Sequence, residues 1–289
     1  MIRAGAATFV GCIFVLGAGA ARADLPAAEA CPGPIEAAAG PLAGGTETQQ
    51  PADFGAVPEA CPGNDLLLRL RGELVDASGA PDFFGRVIAT GTIRGRRRIN
   101  ARSGISVAVD LLTYRYVNDA GLASNTFSFG PATLGYHLVL AERPRGAVAA
   151  YARALIPIDT ARQLGSLETG GELGAAGRAR LGPRWLLDGG VSLRMRVDET
   201  GGQAHGHFEP AALAEAWFAP KPTFALFGGV AVRFEAAPEA TLVTLAPRVG
   251  LRGTLRHGFS LAFLAEAPVA GNDRTNVAAS FFVGWTPAH

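Results

Sequence analysis

Beyond its first few dozen positions the 289-residue chain has no apolar run of 18 or more residues, so no membrane-spanning helix is expected there. A dominant charge of one sign is missing as well. The formal net charge of +1 leaves no bulk attraction to a polyanion, and nucleic acid is not an expected partner. Lysine is confined to Lys221, against 25 arginines. Neither a G-x-S-x-G nucleophile elbow nor an H-E-x-x-H zinc motif occurs. Almost no segment after residue 65 keeps a helical period. No cofactor and no metal is expected.

The N-terminus carries Arg3, the apolar stretch "FVGCIFVLGAGA" and then "ARA" before Asp24. This order of charged region, apolar region and small-x-small site reads as a secretory signal cut after Ala23. A lipoprotein signal ending at Cys12 competes poorly, because the apolar run continues past Cys12. Cys31 and Cys61 then remain, each within the pentapeptide "EACPG". An even count in an exported chain favours a disulfide between them, with two unpaired thiols as the alternative. Residues 24–64, rich in Ala, Pro and Gly, read as a stapled extension without a core.

From Leu66 onward the period becomes two. In "WLLDGGVSLRMRV" (Trp185 to Val197) the residues Leu187, Val191, Leu193, Met195 and Val197 share one parity, and Asp188, Arg194 and Arg196 share the other. A strand sends these two sets to opposite faces. Twelve such stretches are expected, near 66–75, 83–94, 102–116, 126–141, 147–157, 169–181, 185–197, 207–218, 223–234, 241–253, 259–267 and 275–285. Strand 66–75 sets Arg69, Arg71 and Glu73 opposite Leu66, Leu68, Leu70 and Leu74, and 241–253 sets Arg248 and Arg252 opposite Val243, Leu245, Val249 and Leu251. Only Arg115 breaks the parity of its strand, and it lies near an end where lipid need not reach.

The connections alternate in length and charge. One set ("DASGAPD", "VNDAGLAS", "IDTARQLGSLE", "DETGGQAHG", "EAAPEA", "PVAGNDR") holds ten acidic and two basic residues. The other ("GRRR", "ERPRG", "GPR", "APKP", "LRHG") holds one acidic and eight basic residues. Short turns at one end and longer loops at the other are how outer-membrane barrels are built. The fold class is therefore all-β: an antiparallel transmembrane barrel of about twelve strands over residues 65–286, in the outer membrane, with a short N-terminal periplasmic arm.

The last strand, "NVAASFFVGW", ends in an aromatic and resembles the C-terminal signature handed to the barrel-assembly machinery, although "TPAH" follows it. At "FSFGPATLGYHLVL" and "ALIPIDTARQLGSLETGGELGAAGRARLG" the chain resembles the outer-membrane barrels named after the meta-pathway of phenol degradation. Gly130-Pro131 stands where that family has Gly-Asp, and Pro157-Ile158-Asp159 replaces its Pro-Thr-Gly-Asp turn. The similarity covers roughly residues 105–285 and implies a transporter of small solutes, without transferring any site residue.

The candidate lumen-facing residues are Arg69, Arg71, Arg86, Arg94, Arg153, Arg178, Arg180, Arg194, Arg196, Arg233, Arg248 and Arg252, with Glu73, Asp110, Glu172, Asp188, Glu215 and Glu266 as counter-charges. Their surplus of cations points to a passive channel favouring anions. Two alternatives stand beside it. In a narrow barrel the same charges can pair into a closed plug, leaving a structural or loop-mediated binding barrel. Some twelve-strand barrels are lipid hydrolases with a lipid-facing Ser and His; here His137 is the strand-centred histidine and is expected to point inward. "GELGAAG" (Gly171 to Gly177) imitates a nucleotide-binding glycine pattern but sits in a period-2 strand, and His205 with His207 reads as a solvated loop.

Overall fold

The computed structural model describes residues 61, 63–76, 84–119, 122–143, 145–157, 167–182, 184–200, 203–221, 223–236, 241–255, 259–270 and 277–286. The expected signal peptide, Cys31 and most of residues 24–64 lie outside them. Thirteen strands follow in chain order: β1 (Asp65–Asp76), β2 (Phe84–Arg98), β3 (Ser103–Asp119), β4 (Leu122–Ser128), β5 (Ala132–Arg143), β6 (Gly146–Ile156), β7 (Leu167–Arg180), β8 (Trp185–Thr200), β9 (Gln203–Lys221), β10 (Phe224–Ala236), β11 (Thr241–Thr254), β12 (Phe259–Glu266) and β13 (Val277–Trp285). All pair antiparallel. β1 bonds to both β2 and β13, so twelve of them close into a ring. β4 pairs only with β3 among the described strands.

β4 and β5 correspond to the single stretch expected at 126–141. Phe129-Gly130-Pro131 interrupts it, yet Thr113↔Ser128 and Val109↔Ala132 keep one register along β3. Proline has no N–H to give to a ladder, and the Gly130 N–H bonds the Asp110 carbonyl at 2.9 Å. The stretch is thus one strand broken at its proline.

Several strands run past their expected ends. β8 reaches Thr200 and β9 starts at Gln203, and these two residues pair directly. "DETGGQAHG" is therefore mostly ladder, and His205 and His207 lie on β9 rather than in a solvated loop.

Arg115 is explained by a bulge. Gly91 pairs with Leu112 but Thr92 pairs with Asp110, leaving Leu111 unpaired, and both leucines are exposed. The extra residue reverses parity beyond it. Arg115 consequently pairs with Ile88, on the inward parity of β2.

The outward face is apolar over the whole ring. Leu66, Leu68, Leu70 and Leu74, then Leu134, Tyr136, Leu138 and Leu140, then Val243, Leu245, Val249 and Leu251 are all exposed. A lipid environment reconciles this belt with the hydrophobic effect. Rings mark its edges. Trp185 packs on Phe218 (4.8 Å between centroids) near the short-turn end, with Trp285 and Phe259 at the same level. Tyr114 packs on Phe127 (4.9 Å) toward the other end. From Phe224 to Phe234 along β10 the belt spans about 25 Å at ~3.3 Å per residue and a tilt near ~40°, which matches a bilayer core.

The interior is not charged throughout. Leu67, Leu186, Trp217, Ala219, Ala225, Phe227, Ala262 and Leu264 form one buried cluster near the short-turn end, with Phe282 against it. Trp217 stacks on Phe227 at 4.2 Å, worth about 0.5–1.5 kcal/mol beyond the burial itself. Phe227 lies over Gly250 of β11, where a Cβ would overlap both the ring and the Phe263 carbonyl oxygen. Gly250→Ala should therefore lower stability by about 1–3 kcal/mol. The check is the temperature at which the compact, unboiled gel band converts to full-length mobility.

Candidate functional site: the charged lumen

Closing a tilted sheet staggers its hydrogen-bonded rows so that they climb around the barrel. One row runs Glu73, Ala278, Glu266, Arg248, Gly229, Glu215, Asp188, Arg178. Its small members matter as much as its charges. Gly229 carries no side chain, so Arg248 on β11 and Glu215 on β9 meet across β10 at 2.9 Å. Likewise Arg71 on β1 reaches Glu266 on β12 at 2.5 Å across β13, where Ala278 and Ser280 are small. Arg71 also holds Glu73 at 2.6 Å, Arg248 lies 3.7 Å from Glu266, and Arg178 holds Asp188 at 2.8 Å. The Trp217 indole N–H donates to Glu215 at 3.2 Å, so this belt also orients the apolar cluster beneath it.

A second row runs Asp65, Arg96, Ser106, Gly135, Arg153, Glu172, Arg194, Glu209, rising from the short-turn end toward the loops. Glu172 accepts from the Tyr151 hydroxyl at 3.0 Å, from Arg153 at 3.2 Å and from Arg194 at 3.1 Å. Arg153 lies over the Tyr151 ring, 4.8 Å from its centroid. Arg196 pairs with Glu209, and Arg96 with Asp65, which Arg94 approaches at 3.6 Å. Hydrogen bonds to charged groups of this kind contribute about 1.5–3 kcal/mol each when buried.

Accessibility is graded along the axis. The Arg194 side chain is 40% exposed and those of Arg153 and Glu73 are 24% each, whereas Asp188 is at 0% and Glu215 at 1%. Solvent therefore reaches the loop half of the lumen, and the short-turn half is packed.

Of the expected lumen residues, Arg69, Arg71, Arg94, Arg153, Arg178, Arg180, Asp188, Arg194, Arg196, Glu215, Arg233, Arg248 and Arg252 all stand on inward parities. The Arg86 side chain lies outside the described set; its backbone pairs with Val75 and Val117. Arg180 stands beside Leu186 near the short-turn end, with no carboxylate partner among the described residues. Sequence reasoning missed Arg96, Asp65, Glu209 and the apolar cluster. Arg96 shares parity with Arg94, but the "GRRR" stretch that holds it has the composition of a turn. Phe227 and Trp217 alternate inward within strands whose other face is also apolar, so parity alone cannot separate lipid from lumen.

Just before β1, Cys61 and Gly63 are buried, and the Arg96 guanidinium donates to the Cys61 carbonyl at 3.4 Å. The end of the arm is therefore tucked against the inner side of the wall. Pairing of Cys61 with Cys31 lies outside the described residues. His137 is 1% exposed on the inward face, against Gly104, so no lipid-facing Ser–His arrangement is built on it. The described residues contain no group of three or more potential metal ligands.

The fold and this interior define a closed outer-membrane-type β-barrel with a charged lumen. Among solved structures it is similar to the COG4313 outer membrane channel from Pseudomonas putida F1, with 16% identity, a TM-score of 0.65, and coverage of 82% of this chain and 98% of that one. It is also similar to the translocator domain of the autotransporter NalP from Neisseria meningitidis (10% identity, TM-score 0.54, 77% and 88%) and to the β domain of the Bordetella autotransporter BrkA (12%, 0.55, 78% and 100%). No family model and no curated protein matches the sequence.

Glu266→Gln removes the charge that Arg71 and Arg248 share, leaving Arg71 with Glu73 alone and Arg248 with Glu215 alone. The expected cost is about 1.5–3 kcal/mol, read as earlier unfolding in urea by tryptophan fluorescence.

Proposed function

We propose that this chain is a passive outer-membrane channel for small solutes, with a preference for anions. The observation that carries the reading is a count. Among the residues whose side chains are described, twelve arginines between the two rims face inward (Arg69, Arg71, Arg94, Arg96, Arg153, Arg178, Arg180, Arg194, Arg196, Arg233, Arg248 and Arg252). In the same described set they face eight carboxylates (Asp65, Glu73, Asp110, Glu172, Asp188, Glu209, Glu215 and Glu266). Four positive charges are in excess inside a low-dielectric wall, which concentrates anions at the lumen and repels cations. The solvent-reached loop half forms the entry vestibule. Short turns mark the periplasmic end, following the usual build of such barrels. Small carboxylates, aromatic acids among them, are the proposed solutes, in keeping with the resemblance to the phenol meta-pathway barrels.

A second reading is favoured by one observation, the packed Trp217–Phe227 cluster across the periplasmic half. On that reading the barrel is structural and does not conduct.

Planar-bilayer recording separates the two. Wild-type protein in a salt gradient should give an anion-selective reversal potential. The double variant Arg194→Glu with Arg196→Glu changes the lumen by four charges, which equals the excess, and should bring the potential close to zero. A cation-selective wild type, or a double variant with unchanged potential, would refute the anion reading; a silent bilayer would favour the structural barrel. The arm carries a separate expectation. In mature, non-reduced protein, Cys31 and Cys61 should resist thiol labelling and become reactive only after reduction.

A further inference from the structure

Glu172 on β7 gathers an arginine from the strand on either side, and the three are consecutive cross-strand partners. Its Oε1 accepts from Arg153 Nη1 on β6 at 3.2 Å and from the Tyr151 hydroxyl at 3.0 Å. Its Oε2 accepts from Arg194 on β8, through Nη2 at 3.1 Å and Nε at 3.3 Å. A carboxylate offers about four lone-pair sites, so Glu172 is saturated and holds both guanidiniums beside one carboxyl group. Arg153 is fixed a second time by the Tyr151 ring, 4.8 Å from its centroid. Gly174 makes room for that ring, since a Cβ there would overlap the phenol. Two cations therefore share one anion. Glu209, the other cross-strand partner of Arg194, is engaged by Arg196. Among the described residues Arg194 Nη1 meets no acceptor. Its side chain is 40% exposed, against 6% for Glu172. The next inward positions of β7, β8 and β9 toward the short turns are Gly174, Ser192 and Ala211, which leave open space beside the Arg194 guanidinium.

We propose that Arg153 and Arg194, set side by side on Glu172, form a subsite in the vestibule that binds the carboxylate of a small organic acid. Guanidinium groups suit carboxylates because their N–H donors match both oxygens in one plane. Glu172 and Tyr151 have already ordered the two side chains, so binding an acid costs little further entropy. The Tyr151 ring is covered by Arg153. The carboxylate is therefore the recognised group, and the rest of the acid faces the water of the vestibule. The subsite deepens the channel reading and rests on it: a solute entering from the loops would pause here before the packed half.

The test is calorimetric titration of the full mature chain, folded in detergent, with benzoate and with acetate. Each acid should saturate one site, and the two should bind with similar affinity. Arg194→Gln should weaken both by about tenfold or more, as expected for loss of one charge-assisted contact. Arg194→Lys keeps the charge but loses the planar fork, and should stay closer to Arg194→Gln than to wild type. Arg180→Gln makes the same charge change near the short-turn end, beside Leu186, and should weaken benzoate far less than Arg194→Gln. The compact unboiled gel band verifies folding of each variant, and the exposed Arg194 carries the test even if Arg153→Gln does not fold. Heats that never saturate, or affinity unaltered in Arg194→Gln, would overturn the subsite. Full recovery in Arg194→Lys, or an equal loss in Arg180→Gln, would overturn it too, because the general field of the lumen would then account for binding. Bilayer recording keeps the two ideas apart. An anion-selective pore without saturable benzoate binding defeats the subsite alone, whereas saturable binding in a pore without anion preference defeats the channel reading and leaves the subsite as a binding site.

Discussion

Every backbone N–H and C=O in the bilayer must find a partner within the protein, and for strands only a closed ring achieves this. The pairing of β1 with β13 is therefore the contact on which the other features depend. Closure requires tilt and stagger, and stagger turns each hydrogen-bonded row into a climbing path along the lumen. Rows that would hold one charge level in a flat sheet instead connect the short-turn mouth to the loops. The run from Asp65 through Glu172 to Glu209 is one such path.

Closure also sets the volume available inside. Twelve strands leave room for inward side chains only if large and small ones alternate around each level. Gly229 between Arg248 and Glu215, and Ala278 with Ser280 between Arg71 and Glu266, show how this works. Ion pairs form over the small residues, between strands that are not neighbours, and so tie the wall together beyond its backbone ladder. Gly250 plays the corresponding part for an apolar contact, giving Phe227 a flat bed. The abundance of glycine thus has a spatial rationale at these positions.

The two halves of the lumen then separate by chemistry. Toward the loops, arginines and carboxylates remain within reach of water, which lowers the cost of keeping them charged. Toward the short turns, Trp217, Phe227, Leu186 and Leu264 exclude water. The indole N–H of Trp217 on Glu215 joins the halves, so the charged belt and the apolar cluster constrain each other.

The alternation of apolar and charged residues, the even strand count of the ring and the charge difference between its two ends could all be read along the chain, because strand period and turn chemistry are local properties. The inward set of arginines followed from the same parity. Beyond that, locality failed for identifiable reasons. The bulge at Leu111 reversed the parity of Arg115, and no single-strand pattern reveals a residue that its neighbour skips. The inward faces of Phe227 and Trp217 looked like lipid-facing ones, since both environments accept apolar side chains. Which arginines found carboxylates, and that Arg233 found none among the described residues, was decided by stagger and by the small residues between strands. Those relations connect positions up to 195 residues apart, as in Arg71 and Glu266, and only the closed tertiary structure brings them together.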